Sequence, residues 1–250
     1  MSVREARIRL FVASELAAGA AVGLSPEQAH YLKSVMRTAV GTPLLLFNGA
    51  QGEWRARLEA LGKGWASCAV EAETRPQAAE PDLWLVFAPV KRARIDFVAQ
   101  KATELGASAL WPVFTRHTAV SRVNAERLRA NAVEAAEQCE RLTVPRIFAP
   151  AALEDVIAGW PAERRILLCD ERRGGLAIGE ALAGAAAEPK PWAVMVGPEG
   201  GFASDELDRL RNLPIVKRVS LGPRVLRADT AALAALACWQ AIVGDWRGVP

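Results

Sequence analysis

Two glycine-bearing segments carry residues whose types and spacing could do chemistry. The first is Val196-Gly197-Pro198-Glu199-Gly200-Gly201-Phe202, which follows an apolar run. Its glycines remove side chains where the chain leaves a strand, so backbone N–H and C=O groups can approach a ligand closely. Glu199 adds a carboxylate that a plain strand-to-helix turn does not require. The segment matches neither GxGxxG nor GxxxxGK(S/T) and has no lysine, which disfavours a dinucleotide site and a polyphosphate cradle. The second segment is Leu221-Gly222-Pro223-Arg224-Val225-Leu226-Arg227-Ala228-Asp229-Thr230, set ahead of an apolar helix. Asp229 or Thr230 reads as that helix's N-cap, and Arg227 reads either as the counter-ion of Asp229 or as a cation facing a ligand. A third charged strand end is Leu168-Cys169-Asp170-Glu171-Arg172-Arg173.

Such loops do chemistry at the carboxyl ends of strands in an open α/β sheet, and the rest of the chain supplies the sheet. The continuous apolar run Leu83–Ala88 suits a buried parallel strand, and Ala109–Phe114, Arg165–Cys169, Trp192–Val196 and Val216–Ser220 read as further strands. Helical patterns alternate with them: Ile95–Leu105 stopping at Gly106, Ala125–Leu142 capped by Asn124, Leu153–Ala158, Leu176–Ala186, a helix capped by Ser204, and Thr230–Trp246. This alternation predicts an α/β domain with a parallel sheet. Before it lies a different rhythm. Short β-like pieces at Ile8–Val12, Pro43–Phe47, Glu53–Leu58 and Trp65–Val70 surround one helix, Ser25–Met36, and predict a small, mostly β domain. Glu71–Asp82, polar and holding Pro76 and Pro81, reads as the linker.

The 250 residues carry a net charge of only +3, so nucleic-acid binding needs local basic clusters rather than bulk attraction. The N-terminus, interleaved with Arg4, Glu5, Arg7 and Arg9, is not a signal peptide. The apolar stretch Ala231–Val243 is too short to span a bilayer. Cys68, Cys139, Cys169 and Cys238 stand apart as reduced single thiols. His30 and His117 lack the spacing of a zinc site, so no metal is expected.

GPEGGF followed by Ser204-x-Glu206, then LGPRVLRADTA, resembles the signature of the ribosomal RNA small-subunit methyltransferase E family, part of the SPOUT superfamily. Arg9-Leu10-Phe11, His30-Tyr31-Leu32 through Arg37, and Leu46-Phe47-Asn48-Gly49 resemble its N-terminal PUA-like domain. Lys91 to Gly106 and Glu137-Gln138-Cys139 through Val144-Pro145 follow the same pattern. One departure is visible: the family's LRTETA reads here Leu226-Arg227-Ala228-Asp229-Thr230-Ala231, with a shorter carboxylate and no hydroxyl at 228.

The resemblance implies an α/β SPOUT-type parallel-sheet domain over residues 75–250, with a C-terminal trefoil knot, after a PUA-like RNA-binding β-barrel over residues 1–74. Periodicity alone argues against a knot, since knots are nearly absent from proteins. It further implies S-adenosylmethionine-dependent N3-methylation of a uridine in 16S rRNA of the 30S subunit, by a cytoplasmic homodimer with no membrane attachment. The cofactor set is then Leu168, Val196, Gly197, Glu199, Gly200, Gly201, Leu221, Gly222, Pro223 and Leu226, and Glu199 either bonds the ligand or braces its loop. Arg227 and Asp229, with Glu199 behind them, are the catalytic candidates; His117 reads rather as a surface or satisfied histidine. The RNA candidates are Arg9, Arg37, Lys91, Arg92, Arg94, Arg116, Arg122, Arg172 and Arg224, with Arg7 and Arg173 beside them. Trp54 and Trp65 read as core residues. Two rival readings are ribose 2′-O-methylation by another SPOUT enzyme and a non-catalytic RNA-binding assembly factor. The first differs in its product, and the second need not bind S-adenosylmethionine.

Overall fold

A computed structural model describes residues 8–170, 174–187 and 190–248, the side chains of residues 92, 93 and 187 excepted. The chain forms two units. One holds residues up to Ala79 together with Ala136–Val144; the other holds Glu80–Ala135 and everything from Pro145 onward. Arg7, Arg172 and Arg173 lie outside the described residues, as does the side chain of Arg92.

In the first unit, β1 (Arg9–Phe11), β2 (Ala21–Leu24), β3 (Pro43–Phe47), β4 (Glu53–Leu61) and β5 (Ala66–Arg75) form one sheet in the order β1-β3-β4-β5-β2. β1 runs parallel to β3 and the remaining pairs are antiparallel. Register shifts interrupt the β4–β5 ladder at three places, and each adds local twist. Alternate residues Leu44, Leu46, Ala56 and Leu58 build the core. Ser25 caps α1 (Pro26–His30): its hydroxyl accepts from the Gln28 N–H, and the Gln28 side chain accepts from the Ser25 N–H. The helix then loosens into a π turn at Tyr31–Val35 and ends before Arg37, whose φ is +52°. Trp54 packs partly against the core, but Trp65 stands exposed before β5, so core packing describes only the first.

The expected linker is shorter than its composition suggested, because β5 continues to Arg75. That end of the strand is polar because an ionic hub holds it. Glu53, almost wholly buried, accepts from Arg9 Nε at 2.6 Å, from Arg75 Nη2 at 2.9 Å and from the Thr74 hydroxyl at 3.0 Å. Arg9 in turn donates to the carbonyls of Ala136 and Arg141, and its guanidinium lies 3.6 Å over the Phe47 ring. The hub thus ties residues 136–144 to the β sheet of their own unit.

The second unit contains β6 (Leu83–Phe87), α2 (Arg92–Glu104), β7 (Ala109–Phe114), α3 (Ala125–Gln138) as far as Ala135, β8 (Arg146–Ile147), β9 (Ala151–Ala152), α4 (Leu153–Ala158) and β10 (Arg165–Cys169). It continues with β11 (Leu176–Ala177), α5 (Ile178–Leu182), β12 (Trp192–Val196), α6 (Ser204–Arg211), β13 (Val216–Ser220) and α7 (Ala228–Ile242). The strands pair in parallel in the order β11-β13-β10-β12-β6-β7-β8, with β9 beside β7. Strands are added on one side of β6 up to β9 and on the other side from β10 onward, so the order reverses beside β12. This is where α/β sheets bind ligands.

Side chains sort between the two faces with period two. Leu167, Cys169, Trp192, Val194 and Val196 join the core under α2, α5 and α7. Ile166, Leu168, Ala193 and Met195 join the core under α4 and α6. Some helices differ from expectation. The stretch 176–186 begins as β11, which reaches β13 because Gly175 has no Cβ to strike the Val219 backbone. α3 stops at Gln138, with Glu140 in a left-handed conformation. No helix of the described residues is long and apolar enough to cross a membrane.

Candidate active site

A cavity of about 320 Å3 opens at the carboxyl ends of β10, β12 and β13, against the first turn of α7. That volume lies within the range of small-molecule sites. β10 contributes Cys169 and Asp170, β12 contributes Val196 to Glu199, and the segment after β13 contributes Leu221, Gly222 and residues Arg224 to Ala228. Its walls are apolar side chains interleaved with backbone, and charged groups stand at the ends of the loops. Burial pushes the Cys169 thiol up to about 12, so it lines the cavity as a neutral, unreactive group. The Asp170 carboxylate, 1% exposed, is held by Arg218 at 2.8 Å and Arg211 at 3.3 Å, which stiffens the end of β10.

The loop glycines have specific work. A Cβ on Gly197 would lie 2.7 Å from the Phe202 ring, so only glycine lets that ring close over the strand end. Gly222 has φ +105°, a conformation that L side chains rarely adopt. Gly222→Ala is therefore expected to strain or re-aim this loop by about 1–3 kcal/mol and to weaken any ligand of the cavity by roughly tenfold or more. Calorimetric titration of the variant, with its melting curve as a fold control, checks this.

The two loops are braced from outside. Glu206, buried near the start of α6, accepts from the Ala203 N–H and the Arg116 N–H, each at 2.8 Å. Ala203, not Ser204, is the N-cap residue; its methyl group makes no capping bond, and Glu206 supplies only the reciprocal contact, accepting from the Ala203 N–H. His117 Nδ1 lies 3.1 Å from the Gly201 carbonyl, a satisfied surface histidine that shapes the loop. α7 likewise begins earlier than expected. Arg227 is its N-cap residue, with no side-chain capping bond, and Asp229 sits in the first turn, where a carboxylate favours the helix dipole. Neither Asp229 nor Thr230 is the cap.

The candidate residues separate clearly. Val196, Gly197, Glu199, Leu221, Gly222, Leu226, Arg224 and Arg227 meet at the cavity. Gly200, Gly201 and Pro223 shape the loops without lining it. Leu168 is corrected: the strand's period turns it into the core on the opposite face, and Cys169 takes its place. Arg9 is withdrawn from the RNA set, because its guanidinium is buried against Glu53 and Phe47. Arg116 is committed to a two-pronged ion pair with Asp205, at 2.7 and 2.6 Å. Arg94 pairs with Glu199 and approaches Asp229 at 3.8 Å. Arg37 is exposed, and Lys91 and Arg122 flank an open cleft between the starts of α2 and α3. Asp170 and Glu206 escaped the sequence reading as site residues; only their places in the charged strand end and the Ser204-x-Glu206 pattern hinted at them.

Comparison with known proteins decides the family. Residues 78–240 match the RNA methyltransferase domain model, and residues 24–74 match the RNA methyltransferase PUA domain model. The chain is 33% identical to a ribosomal RNA small subunit methyltransferase E of Rickettsia conorii, over 92% of this chain and 93% of that one. The chain belongs to the ribosomal RNA small subunit methyltransferase E family. The family member of Synechocystis is 35% identical, over 92% of this chain and 76% of its own. Among solved structures, the family member from Neisseria gonorrhoeae bound to S-adenosyl methionine superposes with a TM-score of 0.83 at 28% identity, covering 96% of this chain and 99% of that one. A Legionella pneumophila methyltransferase in complex with the same cofactor gives a TM-score of 0.86 at 28% identity, covering 95% and 98%. The family's PUA-like and parallel-sheet domains are thus both present here.

Proposed function

We propose that this chain is an S-adenosylmethionine-dependent rRNA methyltransferase that methylates N3 of a uridine in 16S rRNA. The observation that carries the reading is the cavity at the β10, β12 and β13 ends in a member of this family. Its residues fit the cofactor's chemistry. Val196, Val219, Leu221 and Leu226 offer apolar contact for an adenine, the glycine loops offer main-chain donors and acceptors, and the cofactor, having no phosphate, does not call for the P-loop motif that the sequence lacks. When bound, S-adenosylmethionine supplies a methyl group activated on a sulfonium.

The protein's own part is alignment and proton management. The two loops hold the cavity in one geometry, and such positioning supplies much of the rate enhancement of a displacement reaction. The uracil N3 proton leaves to the Asp229 carboxylate, and Arg227, on the cavity wall, stabilises the negative charge that develops on the uracil oxygens. Glu199 braces its loop rather than taking the proton. Exposed Arg37, Lys91, Arg122 and Arg224 contact the RNA backbone. We further assign residues 1–74 to RNA binding and 75–250 to catalysis, a trefoil knot to the loops around the cavity, and a cytoplasmic homodimer to the working form.

The small net charge gives weak attraction to free RNA, so the substrate is a structured 30S particle. Labelled-methyl transfer to particles lacking the modification, followed by nucleoside mass spectrometry, should yield N3-methyluridine. The same reaction on protein-free 16S rRNA should be slower by roughly tenfold or more, as expected when a folded particle pre-orders the contacts. Label in a ribose 2′-O-methyl group, or equal rates on naked rRNA, would contradict the reading.

A further inference from the structure

The resemblance places Arg94 on the RNA surface, yet its guanidinium is engaged by Glu199, a residue of the cavity lining. It pairs with Glu199 of the β12 loop, and its Nε lies 3.8 Å from Asp229 Oδ2 at the start of α7. Glu199 lines the cavity, and Asp229 follows the lining residues Arg227 and Ala228 in the first turn of α7. β12 and β13 flank β10 in the sheet, and Arg94 stands on α2, which follows β6, the neighbour of β12 on its far side. Arg94 therefore links the loop after β12 to the helix that follows β13.

We infer that Arg94 is a positioning residue for methyl transfer: by sharing one guanidinium between Glu199 and Asp229, it holds the two cofactor loops together and aims the Asp229 carboxylate. The inference rests on the methyltransferase reading above. A planar guanidinium suits this role because its N–H groups fork towards two acceptors at once, which a lysine ammonium on its flexible stem does less well. Stability is not what the contact contributes. Arg94 is about one-third exposed and Glu199 more than half exposed, and ion pairs in such settings add little to folding. Nor is it a cation left free for phosphate, since Arg94 is already engaged by two carboxylates whereas nearby Lys91 is exposed at the open cleft.

The test compares wild type, Arg94→Ala, Arg94→Lys, Asp229→Asn and the Arg94→Ala/Asp229→Asn double variant. Calorimetry reads the dissociation constant for S-adenosylmethionine; steady-state labelled-methyl transfer to unmodified 30S particles reads kcat and KM. Arg94→Ala should weaken cofactor binding by about tenfold and lower kcat by about 10²-fold, while KM for the particle changes by less than about threefold. Arg94→Lys should recover part of kcat. The double variant should lose less kcat than the product of the two single losses, because the Arg94–Asp229 contact is common to both changes. Unchanged cofactor affinity and kcat overturn the inference. So does a raised KM for the particle with a shallower salt dependence, which marks a phosphate contact instead. If wild type methylates no uridine while Arg94→Ala still loses cofactor affinity, the reaction assignment fails and the loop clamp stands.

Discussion

Arg227→Ala should lower kcat for uridine methylation on 30S particles by about 10²–10³-fold, with cofactor affinity changed far less. The reason is where Arg227 stands. It ends the loop after β13, lines the cavity and carries no capping bond of its own, so its charge is available to a reacting base. A uracil losing its N3 proton spreads negative charge onto its carbonyl oxygens, and a fixed guanidinium lowers the energy of that state more than of the neutral ground state. Asp229→Asn belongs in the same experiment. Asparagine keeps the size and part of the first-turn dipole but cannot accept the proton, so kcat should fall by about 10²-fold or more. Full turnover in Asp229→Asn would leave the residue only its place in the helix's first turn. The shortened carboxylate of this chain's LRADTA makes that comparison informative, because its reach differs from the family's glutamate.

The second large effect concerns folding. Glu53→Gln should destabilise the first unit by about 3–5 kcal/mol, because it leaves the Arg9 guanidinium buried without its counter-charge. Arg9 and Glu53 are 6% and 5% exposed, so water cannot take over the lost contact. Denaturant unfolding followed by the fluorescence of Trp54, packed beside this core, reads the loss. The same hub dictates an acid limb. Burial pushes the Glu53 carboxyl up, but hydrogen bonds from Arg9, Arg75 and Thr74 outweigh it and hold the group below its ordinary value of 4.5. A carboxyl depressed in the folded state contributes stability that is complete above the unfolded value and is lost as pH falls through the folded one. Wild type should therefore lose stability below about pH 4.5, and Glu53→Gln should lose less over the same interval.

Those two results bear on different parts of what the sequence could tell. β3, β7, β10 and β12 have the bounds that their apolar runs predict, because turn residues punctuate each run, and β13 has its expected bounds although Lys217 and Arg218 interrupt it. The two glycine segments were legible as strand-end loops, and both border the cavity, because glycine at a strand end has a local cause. β2, β8 and β9 were not legible, being two to four residues long and formed only by pairing with a neighbour. Leu168 was misplaced because a strand buried on both faces is apolar throughout and hides its period. The fates of the arginines were least legible of all. Arg9, Arg94 and Arg116 look alike along the chain, yet their partners lie 44, 105 and 89 residues away. Only the folded sheet decides which basic side chains face solvent and which hold the structure together.

Everything proposed for catalysis depends on what occupies the cavity between the β12 and β13 loops. A crystal structure of this chain with S-adenosylmethionine tests it directly. The ligand should lie against Val196, Gly197, Leu221 and Leu226, with its methyl group turned towards Arg227 and Asp229. Cofactor density at any other place, or these loops held apart around an empty cavity at saturating ligand, would contradict the account.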